Sequence, residues 1–217
     1  MSLTKTELFN RVAADTKGEA SAPTEGSTEW NQWSEWLEEE YQSWAEVHDW
    51  EELKTNYYVN GSQSGTSVAL PRNLKKLAGS PYINGNFYSE VDFDAFDKHG
   101  TSSLVVRTGY DPTNDGYYLN IKPALASSTS VLVPIVAYPS PLPSPANTVK
   151  MRNPNYLVKR MKVRVFKYTQ NPIFTEVEAE ADLMLQQMIE NEYYKHSQYK
   201  GGATTREEEA GFELGTD

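Results

Sequence analysis

The sequence predicts an α+β fold in which N-terminal and C-terminal helices make one helical bundle, with an inserted antiparallel β-sandwich or barrel-like domain and an extended C-terminal tail. Three observations predict it. Apolar residues recur at steps of three and four near both ends of the chain, which is helical periodicity. Between them, short β-prone runs alternate with Gly, Asn and Asp turn signals. Past Tyr194 the apolar pattern stops. The corresponding boundaries are 1–53 for the first helices, 54–149 for the β-domain with a proline-rich crossing, 150–195 for the returning helices and 196–217 for the arm.

The first helix starts at a Thr-x-x-Glu capping box, Thr4 and Glu7, flanked by Leu3 and Leu8 as a hydrophobic staple. Leu8, Phe9, Val12 and Ala13 give it an apolar face, and Gly18 ends it. The second helix runs from about Thr28 to Val47. Its stripe is Trp30, Trp33, Leu37, Tyr41 and Trp44, a core face by spacing. Trp36 and Trp50 lie off that stripe and are the candidates for anchoring a partner.

From Leu53 the period changes. Tyr57–Val59, Ser67–Leu70, Tyr82-Ile83, Phe87-Tyr88, Ser103–Val106, Tyr117–Leu119 and Val131–Val133 read as strands. Asn84-Gly85 and Asp115-Gly116 are the strongest hairpin turns, because both accept positive φ. Pro139, Pro141, Pro143, Pro145 and Pro154 mark an extended crossing, since proline removes a donor and fixes φ. Asn153-Pro154 then opens a helix with Leu157, Met161, Val165 and Tyr168 on one face. Thr175 and Glu178 read as a second capping box, followed by Val177, Ala181, Met184 and Met188. The tail from His196 is polar and, alone in water, should not fold.

With 217 residues and no cysteine, the chain can bury a core without disulfides, and thiol chemistry is excluded. A net charge of −10 disfavours general binding to nucleic acid or to an anionic membrane. No apolar run reaches the length of a spanning helix, and residues 1–6 carry no apolar signal core.

Charge is unevenly placed. Residues 25–52 carry ten acidic side chains, Glu38, Glu39 and Glu40 among them, and no Lys or Arg. Lys150, Arg152, Lys159, Arg160, Lys162, Arg164 and Lys167 form a basic stretch with no acid between Thr148 and Thr169. Two readings stand open and are compatible with each other: the basic helix packs between acidic helices of its own chain, and it faces an acidic neighbour in an oligomer.

Motifs for chemistry are weak. His48, His99 and His196 sit in separate settings without an HExxH pattern. Residues 61–65 superficially resemble a nucleophile elbow, but Gln63 holds the central position, and a hairpin loop is the better reading. Asp111 to Gly116 begins like a calcium loop, yet Lys122 stands where a bidentate glutamate is needed, so it reads as a turn. Neither phosphate-cradling glycine loop is present, and no cofactor is called for.

The order of features carries a resemblance. A short helix precedes a Trp-rich one ending in Trp50-Glu51-Glu52-Leu53. Then come Tyr57-Tyr58, Leu70-Pro71-Arg72-Asn73-Leu74-Lys75-Lys76-Leu77, Gly116-Tyr117-Tyr118-Leu119, Ile121-Lys122-Pro123 and Val136-Ala137-Tyr138-Pro139. Asn155-Tyr156-Leu157-Val158 opens a helix, and Glu176 to Tyr194 closes the body. Over Leu3 to Lys195 this resembles the head-to-tail adaptor (connector or neck) proteins of tailed bacteriophages. The resemblance implies a non-catalytic virion protein, made in the host cytoplasm and placed in the neck. It implies a homo-oligomeric ring, commonly of twelve copies, that binds the portal protein on one face and the tail tube or nozzle protein on the other. Duplex DNA would pass without specific binding, repelled by acidic side chains, and no membrane is involved. The segment with Gly201, Gly202, Phe212 and Leu214 becomes a docking arm. Glu38, Glu39 and Glu40, with Lys159, Arg160, Lys162 and Arg164, become candidate complementary faces between copies or within the bundle.

Two rivals remain. A β-sandwich binding module would hold a carbohydrate or another virion protein on its Tyr-rich strands, including Tyr82, Phe87, Tyr88, Tyr117 and Tyr118. A hydrolase with an unrecognised acidic site would need one essential carboxylate.

Overall fold

A computed structural model describes residues 2–19, 21–59, 65–126 and 129–209, the stretch 195–209 by its backbone alone. In chain order the elements are α1 (Lys5–Lys17), α2 (Thr28–Val47), a 3-10 turn (Glu51–Leu53), β1 (Lys54–Val59), β2 (Gly65–Ala69), β3 (Leu74–Leu77), β4 (Tyr82–Ile83), β5 (Asn86–Phe87), β6 (Ser89–Glu90), α3 (Phe93–Lys98), β7 (Val105–Asp111), β8 (Gly116–Leu125), β9 (Val131–Ala137), α4 (Asn155–Tyr168) and α5 (Phe174–Glu209). The chain is therefore α+β. It divides into two compact units, Met1–Trp44 with Pro141–Asp217, and Ala45–Ser140.

In the helical unit, α1 starts at the reciprocal cap that Thr4 and Glu7 encode. The Glu7 N–H donates to Thr4 Oγ1 at 3.1 Å, and the Thr4 N–H donates to Glu7 Oε2 at 2.8 Å. Leu3 and Leu8 beside it are both buried. The next free helix donors, the N–H groups of Lys5 and Thr6, reach the carbonyls of Asn147 and Pro145 at 2.9 and 3.2 Å. Proline lacks a donor but keeps its acceptor, so the proline-rich crossing supplies partners to a helix end that has none of its own. Gly18 ends α1 at φ +69°, a left-handed position that glycine takes without strain. In α2 the Ser27 hydroxyl accepts from Trp30 N–H at 3.1 Å. Trp30, Trp33, Leu37, Tyr41 and Trp44 are all buried.

Helix α4 packs against α1 and α5. It buries Tyr156, Leu157, Val158, Met161, Val163, Val165 and Phe166, well over one stripe. Tyr168, expected on its apolar face, is 67% exposed at the C-terminal end. The expected box at Thr175 does not form. α5 begins one residue earlier, the Thr175 hydroxyl donates back to Pro172 O at 3.2 Å, and Glu178 turns to Lys167 instead. The extended arm expected from residue 196 is also corrected, because the backbone stays helical through Gly201 and Gly202 to Glu209. Each glycine costs a helix only about 1 kcal/mol relative to alanine, and Ala203, Arg206 and Glu207–Glu209 around them are good helix formers. Phe212 and Leu214 lie outside the described residues.

In the β-rich unit, one sheet runs β1-β9-β4-β5 with β3 also paired to β9, and the other runs β2-β8-β7-β6. The pairs are antiparallel except β6 with β7, which is parallel over Ser89–Glu90 and Val105–Val106. That pair corrects the all-antiparallel expectation: Ser89-Glu90 is too short and too polar to leave a periodic apolar signal, and the short β3 and α3 leave none either. Val68, Val106, Leu119 and Ile121 from one sheet share a single buried cluster with Ile83, Val131, Val133 and Ile135 from the other. The Asn84-Gly85 turn has φ values of 48° and 88°, so both residues take the left-handed form a two-residue hairpin needs. At the β7–β8 turn Asp115 alone is left-handed, at φ 46°, and Gly116 already pairs with Asp111. Residues 61–64 lie outside the described set. The strands flanking them, β1 and β2, pair with β9 and β8 rather than with each other.

Candidate functional site

Glu38, Glu39 and Glu40 sit on α2 at three depths: Glu39 is exposed, Glu38 half-buried and Glu40 buried at 2% exposure. A carboxylate removed from water needs cationic donors, and α4 provides two. Arg160 Nε donates to Glu40 Oε2 at 2.8 Å, and Arg164 Nε donates to Glu40 Oε1 at 2.6 Å. Arg164 Nη2 also lies 3.0 Å from Glu39 Oε2, and Arg160 Nη1 reaches Asp182 of α5 at 3.4 Å. Burial works against the Arg160 charge, yet its hydrogen bond to Glu40 and the attraction of that carboxylate hold its pKa above the ordinary value. Beside it, burial pushes the Tyr156 hydroxyl pKa up.

The remaining cations of α4 follow the same rule. Lys159 pairs with Glu180, Lys162 with Asp15 of α1, and Lys167 with Glu178 at 2.7 Å. Arg152, just before α4, pairs with the buried Glu192 of α5 at 3.3 Å. These contacts are the ones that packing of the basic stretch within a single chain expects. α4 buries so much of its circumference that its cations must meet carboxylates from α1, α2 and α5.

Lys5 is a further buried cation, 3% exposed. Its ammonium donates to Leu142 O at 2.9 Å and lies 5.7 Å from the Trp30 ring and 6.0 Å from the Phe9 ring. Burial lowers its pKa, against the pull of Glu38 and Glu25. No signal in the sequence singled it out. Trp36 is half-buried and meets Tyr168 edge-on at 5.7 Å. Trp50 is 1% exposed and packs against the His48 ring, so it has no free surface to anchor a partner.

In the β-rich unit, Lys75 donates to the carbonyls of Ala45 and His48 at 2.8 and 3.1 Å. Lys75 and Lys76 both pair with Asp49. Burial alone would raise the Asp49 carboxyl, but the two lysines hold it below its ordinary range. A cleft of about 570 Å³ is lined by Glu90, Asp92, Phe93, Arg107, Tyr110 and Tyr118, with others. There the Arg107 guanidinium lies 4.2 Å from the Phe93 ring and 5.4 Å from Phe96, fastening α3 to β7 by cation–π contact. Asp111, read as the start of a calcium-like loop, is occupied by its own turn. Its carboxylate accepts from Thr113 N–H at 2.9 Å and from Asn114 Nδ2 at 2.6 Å.

The aromatic residues assigned to a carbohydrate-holding module are not all on one exposed face. Tyr82 and Phe87 are exposed, Tyr117 and Tyr118 are half-buried, and Tyr88 is 5% exposed within the core cluster. Tyr58, on another of the Tyr-rich strands, is 57% exposed. Among the described residues no helix is long and apolar enough to cross a membrane. No protein-family model matches the chain, and no curated protein sequence matches it.

Proposed function

We propose that the chain is the head-to-tail adaptor of a tailed bacteriophage, a virion protein that works by assembling and not by catalysis. In this reading α1, α2, α4 and α5 are a bundle, and the two sheets are a β-sandwich inserted into it. One observation carries the reading: segments from both ends of the chain, Met1–Trp44 and Pro141–Asp217, belong to one compact unit, while Ala45–Ser140 forms another. A lobe inserted into a body closed by both termini is the organisation that the adaptor resemblance leads one to expect.

Copies would meet head to tail and close into a ring by rotation, under the portal and above the tail tube or nozzle. The pairing of α4 supports passive passage of DNA. A duplex is gripped by cations that neutralise its phosphates, and here Arg160, Arg164 and Lys162 already face carboxylates. With 30 acidic against 20 basic residues, the net field repels a polyanion. The C-terminal segment from Gly201 to Asp217 supplies the contacts that dock on the portal.

Electron microscopy of the chain mixed with a portal ring tests this reading. Ring density stacked on the portal is the expected result, and portal rings that stay bare at saturating chain overturn it.

A further inference from the structure

On the outer face of the first sheet, four side chains stand in one cross-strand row. Tyr58 of β1 is the register partner of Leu132 of β9, Leu132 is also that of Tyr82 of β4, and Tyr82 is that of Phe87 of β5. Register partners share a face, and the alternate residues Tyr57, Val59, Val131, Val133 and Ile83 belong to the core cluster or pack on it. The row is therefore outward. Phe87 is 71% exposed, Tyr58 57% and Tyr82 40%. At about 4.8 Å per strand, the row is roughly 14 Å long and one residue wide.

One exposed phenylalanine is ordinary, but exposed aromatic side chains lined up across neighbouring strands form a contiguous patch, and that asks for a reason. The hairpin at Asn84-Gly85 holds the Phe87 ring 5.0 Å from Tyr82 at an angle of 56°. We infer that this row is a binding strip for a linear, uncharged saccharide chain.

Three properties select that ligand. No member of the row is charged, and Asn56, two positions along β1 on the same face, and Ser130, just before β9, are neutral hydrogen-bonding groups that are exposed. A saccharide chain with all-equatorial linkages presents flat C–H faces to aromatic rings and hydroxyls at its edges, which matches rings in line with an amide and a hydroxyl beside them. The exposed area also decides between ligands. At the stated exposures, three aromatic side chains offer on the order of 300 Å², less than half of the ~800 Å² per partner of a stable protein interface. The tilt between Tyr82 and Phe87 further selects a single twisted chain over a flat crystalline surface. The strip narrows the carbohydrate reading to Tyr58, Tyr82 and Phe87, and it is independent of ring assembly.

Calorimetric titration of the full chain with cellohexaose and with chitohexaose tests the inference. Binding of at least one, weakened roughly tenfold by Tyr58→Ala or by Phe87→Ala, is expected, because each removes one stacking surface. Tyr110→Ala, an exposed aromatic outside the row, should bind like the parent. Thermal melts of all three variants should match the parent, because the lost side chains are exposed. Absence of binding to both hexasaccharides at millimolar concentration overturns the inference. So does binding that Tyr58→Ala and Phe87→Ala leave unchanged. Self-association of the parent that these variants abolish overturns it in favour of a contact between copies. The saccharide titrations and melts leave the ring untouched, and the portal mixture tests it separately.

Discussion

Arg160 Nε donates to Glu40 Oε2 at 2.8 Å, from a helix 120 residues later in the chain, onto a carboxylate side chain only 3% exposed. With Arg164 on the other oxygen, that contact ties the returning helix α4 to the acidic helix α2. Removing the carboxylate leaves two guanidinium groups facing each other in a partly enclosed place. Glu40→Gln should therefore destabilise the chain by about 2–4 kcal/mol, read as a lower urea midpoint at unchanged slope. Glu40→Leu combined with Arg160→Met should lose less than the sum of the two single changes. Additive losses would show that the pair is not coupled.

The reciprocal cap at Thr4 makes a smaller, local contribution. Thr4→Ala removes the acceptor for Glu7 N–H and should cost about 1 kcal/mol in the same urea titration. Thr175→Ala, which the sequence alone would rank equally, should cost less, because its hydroxyl lies on an exposed residue inside α5 and makes no cap.

Acid should weaken the chain through paired carboxylates. The Lys167 hydrogen bond holds Glu178 below its ordinary value, and Lys159 does the same for Glu180. Their folded values lie below their unfolded ones, so the stability they add is present above about pH 4.3, the unfolded glutamate value. It is lost as pH falls through the depressed values. In an NMR titration, Lys167→Met should move the Glu178 midpoint upward toward the ordinary glutamate value. A midpoint that does not move would assign the shift to another cause.

Deleting residues 201–217 should leave the thermal midpoint nearly unchanged while weakening portal binding. Glu192 is the last buried side chain described on α5, and the deletion starts well beyond it. A drop of several degrees would place the tail in the core.

Local codes were legible in the sequence and long-range ones were not. The Thr4–Glu7 cap, the Trp30–Trp44 spacing and the Asn84-Gly85 turn each depend on residues within a turn or two of one another, so their chemistry can be read from order alone. The partners of Arg160 and Arg164 depend on how two distant helices lie in register, which no spacing encodes. The alternation of basic and acidic stretches raised the question of their pairing but could not answer it. Thr175 and Glu178 show a local code overruled, since the nearby Lys167 outcompetes a backbone N–H for the glutamate. The row from Tyr58 to Phe87 was only half visible. Tyr82 and Phe87 were candidates, but Tyr58 joins them solely because β1 and β4 both pair with β9.

Native mass spectrometry of the chain mixed with a phage portal ring is the sharpest test of the proposed adaptor role. The account predicts a closed complex holding a fixed whole number of adaptor chains per portal ring, twelve for the commonest ring. A chain that stays at 24.5 kDa in the presence of portal, at every concentration tried, would contradict it.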